Sequence, residues 1–305
     1  MRELRPTQPL EGERFVLSYG REGYPEQLMN IPDPPSKLYG IGDPSVLDLG
    51  LAIIGARRAT PYGRTVAEKF SKAAAEHGIT IISGGALGCD SAAHRGCLSV
   101  GGKTVVVLGG GCDLIYPESN RDLFQEVVDK GGAVISERQW QFPPLPYTFR
   151  ARNRIIAGLA RATLIVEAGL PSGTFSTADD ALSANRDVLV VPGAITSPHS
   201  RGANRLLYQG ATPVIDDETF EDMLVDLFGC MKIQDMRKQA ATENSPLYAA
   251  LQAEALTVDA LMKRETIVNP KDRDRLSWIM VELAKLEHEG FIERFPNGSY
   301  GAVVV

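Results

Sequence analysis

The sequence has no apolar run of the ~18 residues that a membrane-spanning helix requires, so a helical membrane anchor is excluded. Its first residues, Met1-Arg2-Glu3-Leu4-Arg5-Pro6, lack the apolar core of a secretory leader. Cysteine is scarce: Cys89, Cys97, Cys112 and Cys230 form no CxxC pair and have no zinc-ligand spacing. They read as reduced thiols of a cytoplasmic protein. The four histidines make no HExxH pattern, so no metal site is expected. No glycine-rich turn is followed by the lysine of a nucleotide-hydrolysing phosphate loop, so no nucleotide hydrolysis is expected either.

Excess positive charge is also missing. The 305 residues carry 32 Lys+Arg against 38 Asp+Glu, a net charge of −6. Six of those acids, Asp216, Asp217, Glu218, Glu221, Asp222 and Asp226, lie in a window without a base. Outside it the count balances at 32 to 32 (38 − 6). The overall sign therefore says little about partners, whereas the distribution is informative. With 44% hydrophobic and 23% charged residues, the chain has the composition of a globular protein.

Residues 51–215 repeat one pattern: a short apolar run, a Gly/Ser turn, then a helical segment. The runs are Leu51–Ile54, Ile79–Ile82, Thr104–Leu108, Ala133–Ile135, Leu164–Val166 and Val188–Val191, with Pro213–Ile215 as a possible seventh. Rich in Val and Ile and not alternating with polar residues, they read as strands buried on both faces. Their spacing leaves room for a crossover helix each time, which predicts a doubly wound, mostly parallel α/β sheet. Residues 1–50 are proline-rich, with short strands expected at Phe15–Leu17 and Lys37–Tyr39, and are expected to pack on this domain as an extension. The domain runs over 51–229 and closes with an acidic helix at 216–229. A polar linker over 230–245 leads to helices at Pro246–Ala255, Val258–Glu265 and Asp272–Glu289, and a hairpin closes the chain. Three helices and a hairpin over 246–305 describe a small winged-helix domain. Residues 240–305 hold seven bases and ten acids, which favours a structural or protein-contacting role over DNA reading.

In such a sheet, ligands meet the carboxyl ends of the strands, where helix starts hold anions. The turn after the first run is Gly55-Ala56-Arg57-Arg58-Ala59-Thr60-Pro61, with Thr60 an N-cap and Pro61 the first helical residue. The second turn, Ser83-Gly84-Gly85-Ala86-Leu87-Gly88-Cys89-Asp90, reads as a phosphate cradle, although Asp90 also suits a simple helix cap. His94 reads as a packed helix residue. Gly109-Gly110-Gly111 is equally a close-approach turn or a tight connection. From Arg138 to Val166 no acid interrupts Arg138, Arg150, Arg152, Arg154 and Arg161, and Trp140, Phe142, Tyr147 and Phe149 are interleaved. Forked guanidinium groups beside aromatic faces suit single-stranded nucleic acid, while a rigid loop with inward-packed aromatics is the alternative. Residues 188–215 add Arg201 and Arg205, again without an acid. Ser172-Gly173-Thr174 opens a further helix whose N–H groups and hydroxyls either take a phosphate or cap the helix.

Several ordered stretches together resemble the DNA-processing protein A family (DprA, also called Smf), strongly over about 40–215. They are Gly55-Ala56-Arg57 with Thr60-Pro61-Tyr62-Gly63; Ser83-Gly84 through Gly88-Cys89-Asp90 with Ala93-His94; Tyr116-Pro117-Glu118 with Asn120-Arg121; Phe149 through Arg152-Asn153-Arg154-Ile155-Ile156-Ala157-Gly158-Leu159; Glu167-Ala168 with Ser172-Gly173-Thr174; Pro192-Gly193; and Ser200, Gly202 and Asn204. The resemblance implies an extended Rossmann-like domain that binds single-stranded DNA, forms homodimers and loads the RecA recombinase onto incoming DNA during natural transformation. It implies no catalysis and no cofactor. The residues it assigns to DNA are Gly55, Arg57, Ser83, Gly84, Gly88, Asp90, Phe149, Arg150, Arg152, Asn153, Arg154, Ser172, Gly173, Thr174, Arg201, Gly202 and Asn204. Phe149 would stack on a base, and Arg57 and Arg154 replaced by Glu would abolish binding without unfolding the chain.

The chain departs from the family pattern at Ala56, where serine is usual, and at Gly85, Cys89 and Pro146, the last standing where a DNA-contacting lysine is common. Arg150 is expected to restore that charge. The first 50 residues leave no room for the sterile-alpha-motif-like domain of many relatives. A second reading is a nucleotide-cleaving phosphoribohydrolase-like enzyme, whose PGGxGTxxE turn Pro171-Ser172-Gly173-Thr174 imitates with Thr177 at the glutamate position. A third is a scaffold that uses the acidic helix as an interface.

Overall fold

A computed structural model describes residues 8–233, 236, 245–267 and 274–303. The expected linker lies largely outside these residues, as does Asp272 at the start of the third expected C-terminal helix. The chain divides into two compact units between Cys230 and Met231.

The first unit is built on a nine-stranded sheet in the order β1-β2-β6-β5-β4-β3-β7-β8-β9. Its parallel strands are β3 (Gly50–Ile54), β4 (Ile81–Ser83), β5 (Thr104–Val107), β6 (Ala133–Ser136), β7 (Ala160–Ile165), β8 (Asp187–Val190) and β9 (Thr212–Pro213). Each expected run became a strand or overlaps one. At one edge β1 (Arg14–Ser18) and β2 (Lys37–Gly42) continue the sheet antiparallel, β2 pairing with β6 through Tyr39↔Ser136 to Gly42↔Ala133. The first 50 residues thus contribute two sheet strands.

The non-alternating runs have the predicted cause, since both faces of the sheet are covered. Ala52, Ile54, Val105, Val107, Ile135, Ile165 and Val190 face one core, which is closed by α1 (Glu26–Met29), α5 (Pro146–Leu159), α6 (Thr174–Ser183) and α7 (Arg201–Tyr208). Leu51, Ile53, Ile81, Leu164, Leu189 and Val191 face the opposite core, closed by α2 (Pro61–Glu76), α3 (Cys89–Ser99) and α8 (Asp217–Phe228). On that side α4 (Arg121–Asp129) covers Val106 and Val134 with Phe124. Strand order reverses between β3 and β7, which pair in parallel from Leu51↔Ala162 to Ile54↔Ile165. This is a topological switch point, where the turns after the two strands diverge and leave a crevice.

The acidic helix α8 packs its apolar side on α2, with the Phe220 and Phe70 rings 4.4 Å apart. Asp216 caps it by accepting from Thr219 N–H at 2.8 Å, and Lys69 pairs with Asp217 at 2.6 Å. Negative charge in the first turn also suits the helix dipole. The second unit contains α9 (Pro246–Ala253), α10 (Val258–Lys263), α11 (Arg275–His288) and an antiparallel hairpin of β10 (Ile292–Arg294) and β11 (Tyr300–Ala302) around its own core. Among the described residues no helix is long and apolar enough to cross a membrane.

Candidate nucleic-acid interface

A cleft of about 660 Å³ opens at the switch point. Its walls come from the turn after β3 (Gly55, Arg57, Arg58), from one side of α5 and from the turn into α6. Residues Phe149, Arg150, Arg152, Asn153 and Ile156 of α5 all reach it, at the spacing of one helix face. Ser172, Gly173 and Thr174 form the opposite wall.

Three helix starts converge here, and the chain's own carboxylates occupy two. At α2, Glu167 Oε2 accepts the Thr60 N–H at 2.8 Å, while Thr60 Oγ1 accepts from Gly63 N–H at 3.1 Å. At α3, Asp90 Oδ2 accepts the Ala86 N–H at 3.3 Å, and the Cys89 N–H is given to Ala56 O at 3.3 Å. Within the turn at 83–90, Asp90 thus engages the Ala86 N–H. Its glycines allow close packing. Gly88 has φ +86°, and a Cβ there would lie 2.2 Å from Ala56 O. Gly85 has φ +65° and abuts Phe124 and Val106, so this backbone accepts no larger residue there. The third start, α6, has no acid in its first turn; Ser172 Oγ accepts the Thr174 N–H at 3.2 Å and otherwise bonds Thr174 Oγ1. Its positive dipole end faces the cleft.

The arginines separate by environment. Arg57, Arg58 and Arg150 are exposed at the mouth and form no ion pair within 4 Å among the described residues, although Asp90 and Asp180 lie near enough to feel Arg57 and Arg150. Arg152 is only 4% exposed; its Nη1 donates to Gly84 O at 2.8 Å and also to Val107 O. Burial pushes its pKa down to about 10, which Asp90 opposes and Arg57 reinforces. Burial likewise raises the pKa of Asp90, and Arg152 counters this. Arg152 Nε is buried without a hydrogen-bond partner among the described residues. Arg154 points to the other side of α5: Nε donates to Asp33 O at 2.7 Å, Nη1 to Ala151 O at 2.6 Å and Nη2 to Glu137 Oε2 at 2.7 Å. Its charge is spent inside the fold.

The aromatics of 138–166 divide too. Trp140 packs inward on Tyr39 at 5.5 Å, with the Arg14 guanidinium 4.7 Å from its ring. Phe149 is half-buried at the rim, 5.4 Å from Tyr116 and 5.3 Å from the Arg57 guanidinium carbon. Gly109-Gly110-Gly111 proves to be a close-approach turn: Gly111 N–H donates to Phe142 O at 2.8 Å, and a Cβ on Gly110 would lie 3.0 Å from Pro144 N.

Other expected contacts shape the site from behind. Ser83 is fully buried and donates to Ile53 O at 2.6 Å. Gly202 N–H donates to Ala168 O at 2.7 Å, and Asn204 clamps Gly193 in both directions at 2.9 and 3.1 Å. Arg201 is exposed at the start of α7, outside the cleft lining. Asn153 donates to Ser176 Oγ at 3.0 Å and ties α5 to α6. Arg58 and His199 also line the cleft, Tyr116 packs on Phe149 and Glu167 holds the Thr60 N–H; none of the four is among the residues the resemblance assigns to DNA. The available signal for Glu167 was its place directly after β7, at the switch point.

His94 is fully buried, 2.7 Å from Thr104 Oγ1, and burial depresses its pKa to about 3. Folding therefore holds it neutral. The unfolded chain binds a proton below about pH 6.5, so His94 withdraws stability at up to ~1.4 kcal/mol per pH unit between there and pH 3. Urea unfolding of H94Q across this range should show a flatter acid limb than the parent; an identical slope would refute the assignment.

The domain is a doubly wound sheet with an arginine-bearing, aromatic-rimmed cleft at its switch point, the crevice where folds of this class hold ligands. The model of the DNA recombination-mediator protein A family matches residues 15–227, and the chain belongs to that family. It is 34% identical over 287 residues to protein Smf of Escherichia coli, covering 91% of this chain and 74% of that one. It is 38% identical over 221 residues to protein Smf of Synechocystis, spanning 71% of this chain but 54% of that relative. Among solved structures, DNA processing protein A of Helicobacter pylori, described in its single-stranded DNA binding mode, superposes with TM-score 0.64 at 32% identity, over 72% of this chain and 97% of that one. The Streptococcus pneumoniae protein superposes with TM-score 0.62 at 36% identity, over 66% and 71%.

Proposed function

We propose that this chain is a non-catalytic binder of single-stranded DNA that processes DNA in transformation by protecting the incoming strand and loading RecA recombinase as a homodimer in the cytoplasm. The observation that carries the reading is the grouping of unpaired Arg57, Arg58 and Arg150 with the open start of α6 and the rim ring of Phe149. Cations and a helix start suit phosphates, and a ring face suits an unstacked base. The relative from Helicobacter pylori, which binds single-stranded DNA, supports it. In this reading Gly55, Arg57, Phe149, Arg150, Asn153, Ser172, Gly173 and Thr174 meet the strand. Ser83, Gly84, Gly88, Asp90, Arg152, Arg154, Gly202 and Asn204 hold the cleft in shape, and Arg201 lies further along the strand path. The nucleotide-cleaving alternative is weakened because the Thr177 hydroxyl stands where that chemistry needs a carboxylate. The second unit, with three helices ahead of a hairpin, fits a winged-helix module used for protein contact.

The test is fluorescence anisotropy with a labelled single-stranded oligonucleotide and its duplex across a salt series. Neutralising three to five phosphates gives a log–log slope of roughly −2 to −3.5 for single strands. A flat salt response, or tighter binding of duplex, would refute the reading.

A further inference from the structure

At the end of the sheet away from the cleft, two arginines stand side by side. Strands β7 and β8 pair in parallel with Ala162 beside Asp187, which sets Arg161 beside Arg186 one step earlier. Neighbouring strands lie about 4.8 Å apart, and alternation puts both side chains on the face of Ile165, Val188 and Val190. Arg161 is exposed and Arg186 half-buried, its Nε buried without a hydrogen-bond partner. Among the described residues neither guanidinium forms a hydrogen bond or an ion pair within 4 Å. Burial, and after it the charge of Arg161, lower the pKa of Arg186. Like charges held together on adjacent strands repel, so the pair gains from an anion.

The local structure fixes Arg186 in place. Helix α6 ends in a left-handed turn at Asn185, φ +55°, where Asn185 N–H donates to Leu182 O at 3.0 Å and Arg186 N–H to Ala181 O at 2.9 Å. In this motif the residue after the left-handed one is commonly apolar and packs back on the helix. Here it is an arginine. Arginines near a helix end also cap its carbonyls, but those of Ala181 and Leu182 are already taken. Leu182, in the same turn, is 65% exposed.

We propose that Arg161, Arg186 and Leu182 form a docking patch for a short acidic segment of a protein partner. Its carboxylates meet the guanidinium forks, and an apolar side chain rests on Leu182. A protein segment fits better than a nucleic-acid strand. The patch holds two charges rather than an extended cationic path, and Asp187, exposed at the next position, would repel a continuing phosphate chain. The six residues of β7 also set the patch about 20 Å from the cleft, so both can be filled together.

The test titrates the full chain at low salt, by fluorescence anisotropy, with a labelled hexapeptide Asp-Asp-Leu-Asp-Asp-Leu, with its Asn-for-Asp counterpart and with oligo(dT). The parent should bind the acidic peptide roughly tenfold more tightly than the neutral one. Arg161→Ala should weaken the acidic peptide by a similar factor, as should Arg186→Met, which keeps the apolar stem and removes the fork. Arg186→Lys should recover only part of the loss. Oligo(dT) affinity should stay at the parent's value throughout. The urea midpoint of Arg161→Ala should hold or rise, because the substitution relieves a like-charge contact. A parent indifferent to the charge of the peptide, or peptide binding that survives both substitutions, would overturn the patch. So would a loss of oligo(dT) binding with the peptide unaffected, which would make the pair a phosphate contact. A fall in the Arg161→Ala midpoint would also overturn it, by making the pair a brace of the fold.

Discussion

Replacing Arg152 by alanine is expected to destabilise the first unit by about 3–5 kcal/mol, measured by urea unfolding at neutral pH. The guanidinium is buried, its Nη1 joins the carbonyls of Gly84 and Val107, and it is the main counter-charge to Asp90. Removal leaves two carbonyls without a donor and Asp90 without its cation. Asp90 can escape only by taking up a proton, and its folded pKa already lies above the ordinary value. The deficit of the variant relative to the parent should therefore shrink as pH falls, because protonated Asp90 no longer needs a cation. Arg152→Lys, which keeps the charge but loses the fork, should recover part of the stability. A stable Arg152→Ala protein with impaired DNA binding would show instead that Arg152 is a contact residue.

Reversing Arg57 and Arg150 together to glutamate should lower single-stranded DNA affinity by at least about 100-fold and leave the unfolding midpoint unchanged. Both side chains are exposed, and among the described residues neither forms an ion pair within 4 Å. Neutral versions of the same pair should flatten the salt slope by roughly 1.4, since each phosphate contact contributes about 0.7. Arg154 belongs to a different class. Glutamate there would join Glu137 and Asp33 and face two carboxylates, so a loss of binding would come with a loss of stability. The expected pair of reversals at Arg57 and Arg154 is thus split by the structure. An unchanged affinity in the Arg57/Arg150 variant would exclude this cleft as the phosphate path.

How far the site was legible can be judged at α5. An acid-free run with five arginines and four aromatics announced an anion surface, whereas the shared helix face of Phe149, Arg152, Asn153 and Ile156 is read from the structure. Arg152 and Arg154, two positions apart, point about 200° away from each other on a helix. The acids that engage Arg154 lie 17 and 121 residues away in the chain, beyond any local pattern. The turn at 83–90 carries a contact that its local pattern does not announce: the Asp90 carboxylate folds back onto the Ala86 N–H.

By itself the sequence determined the sheet and the edge at which the turns into the helices gather. Val- and Ile-rich runs without alternation are stable only when buried on both faces, and successive strands separated by helices pair in parallel. Local pattern also set the capped start of α2 and the acidic start of α8, whose partners are three residues away. Only the tertiary structure decided which charges remain free. A guanidinium is a ligand group or a strut according to whether carboxylates and carbonyls from distant segments reach it first. Here Glu137, Asp33, Gly84 and Val107 claim two of the candidate arginines and leave Arg57 and Arg150 exposed at the cleft mouth.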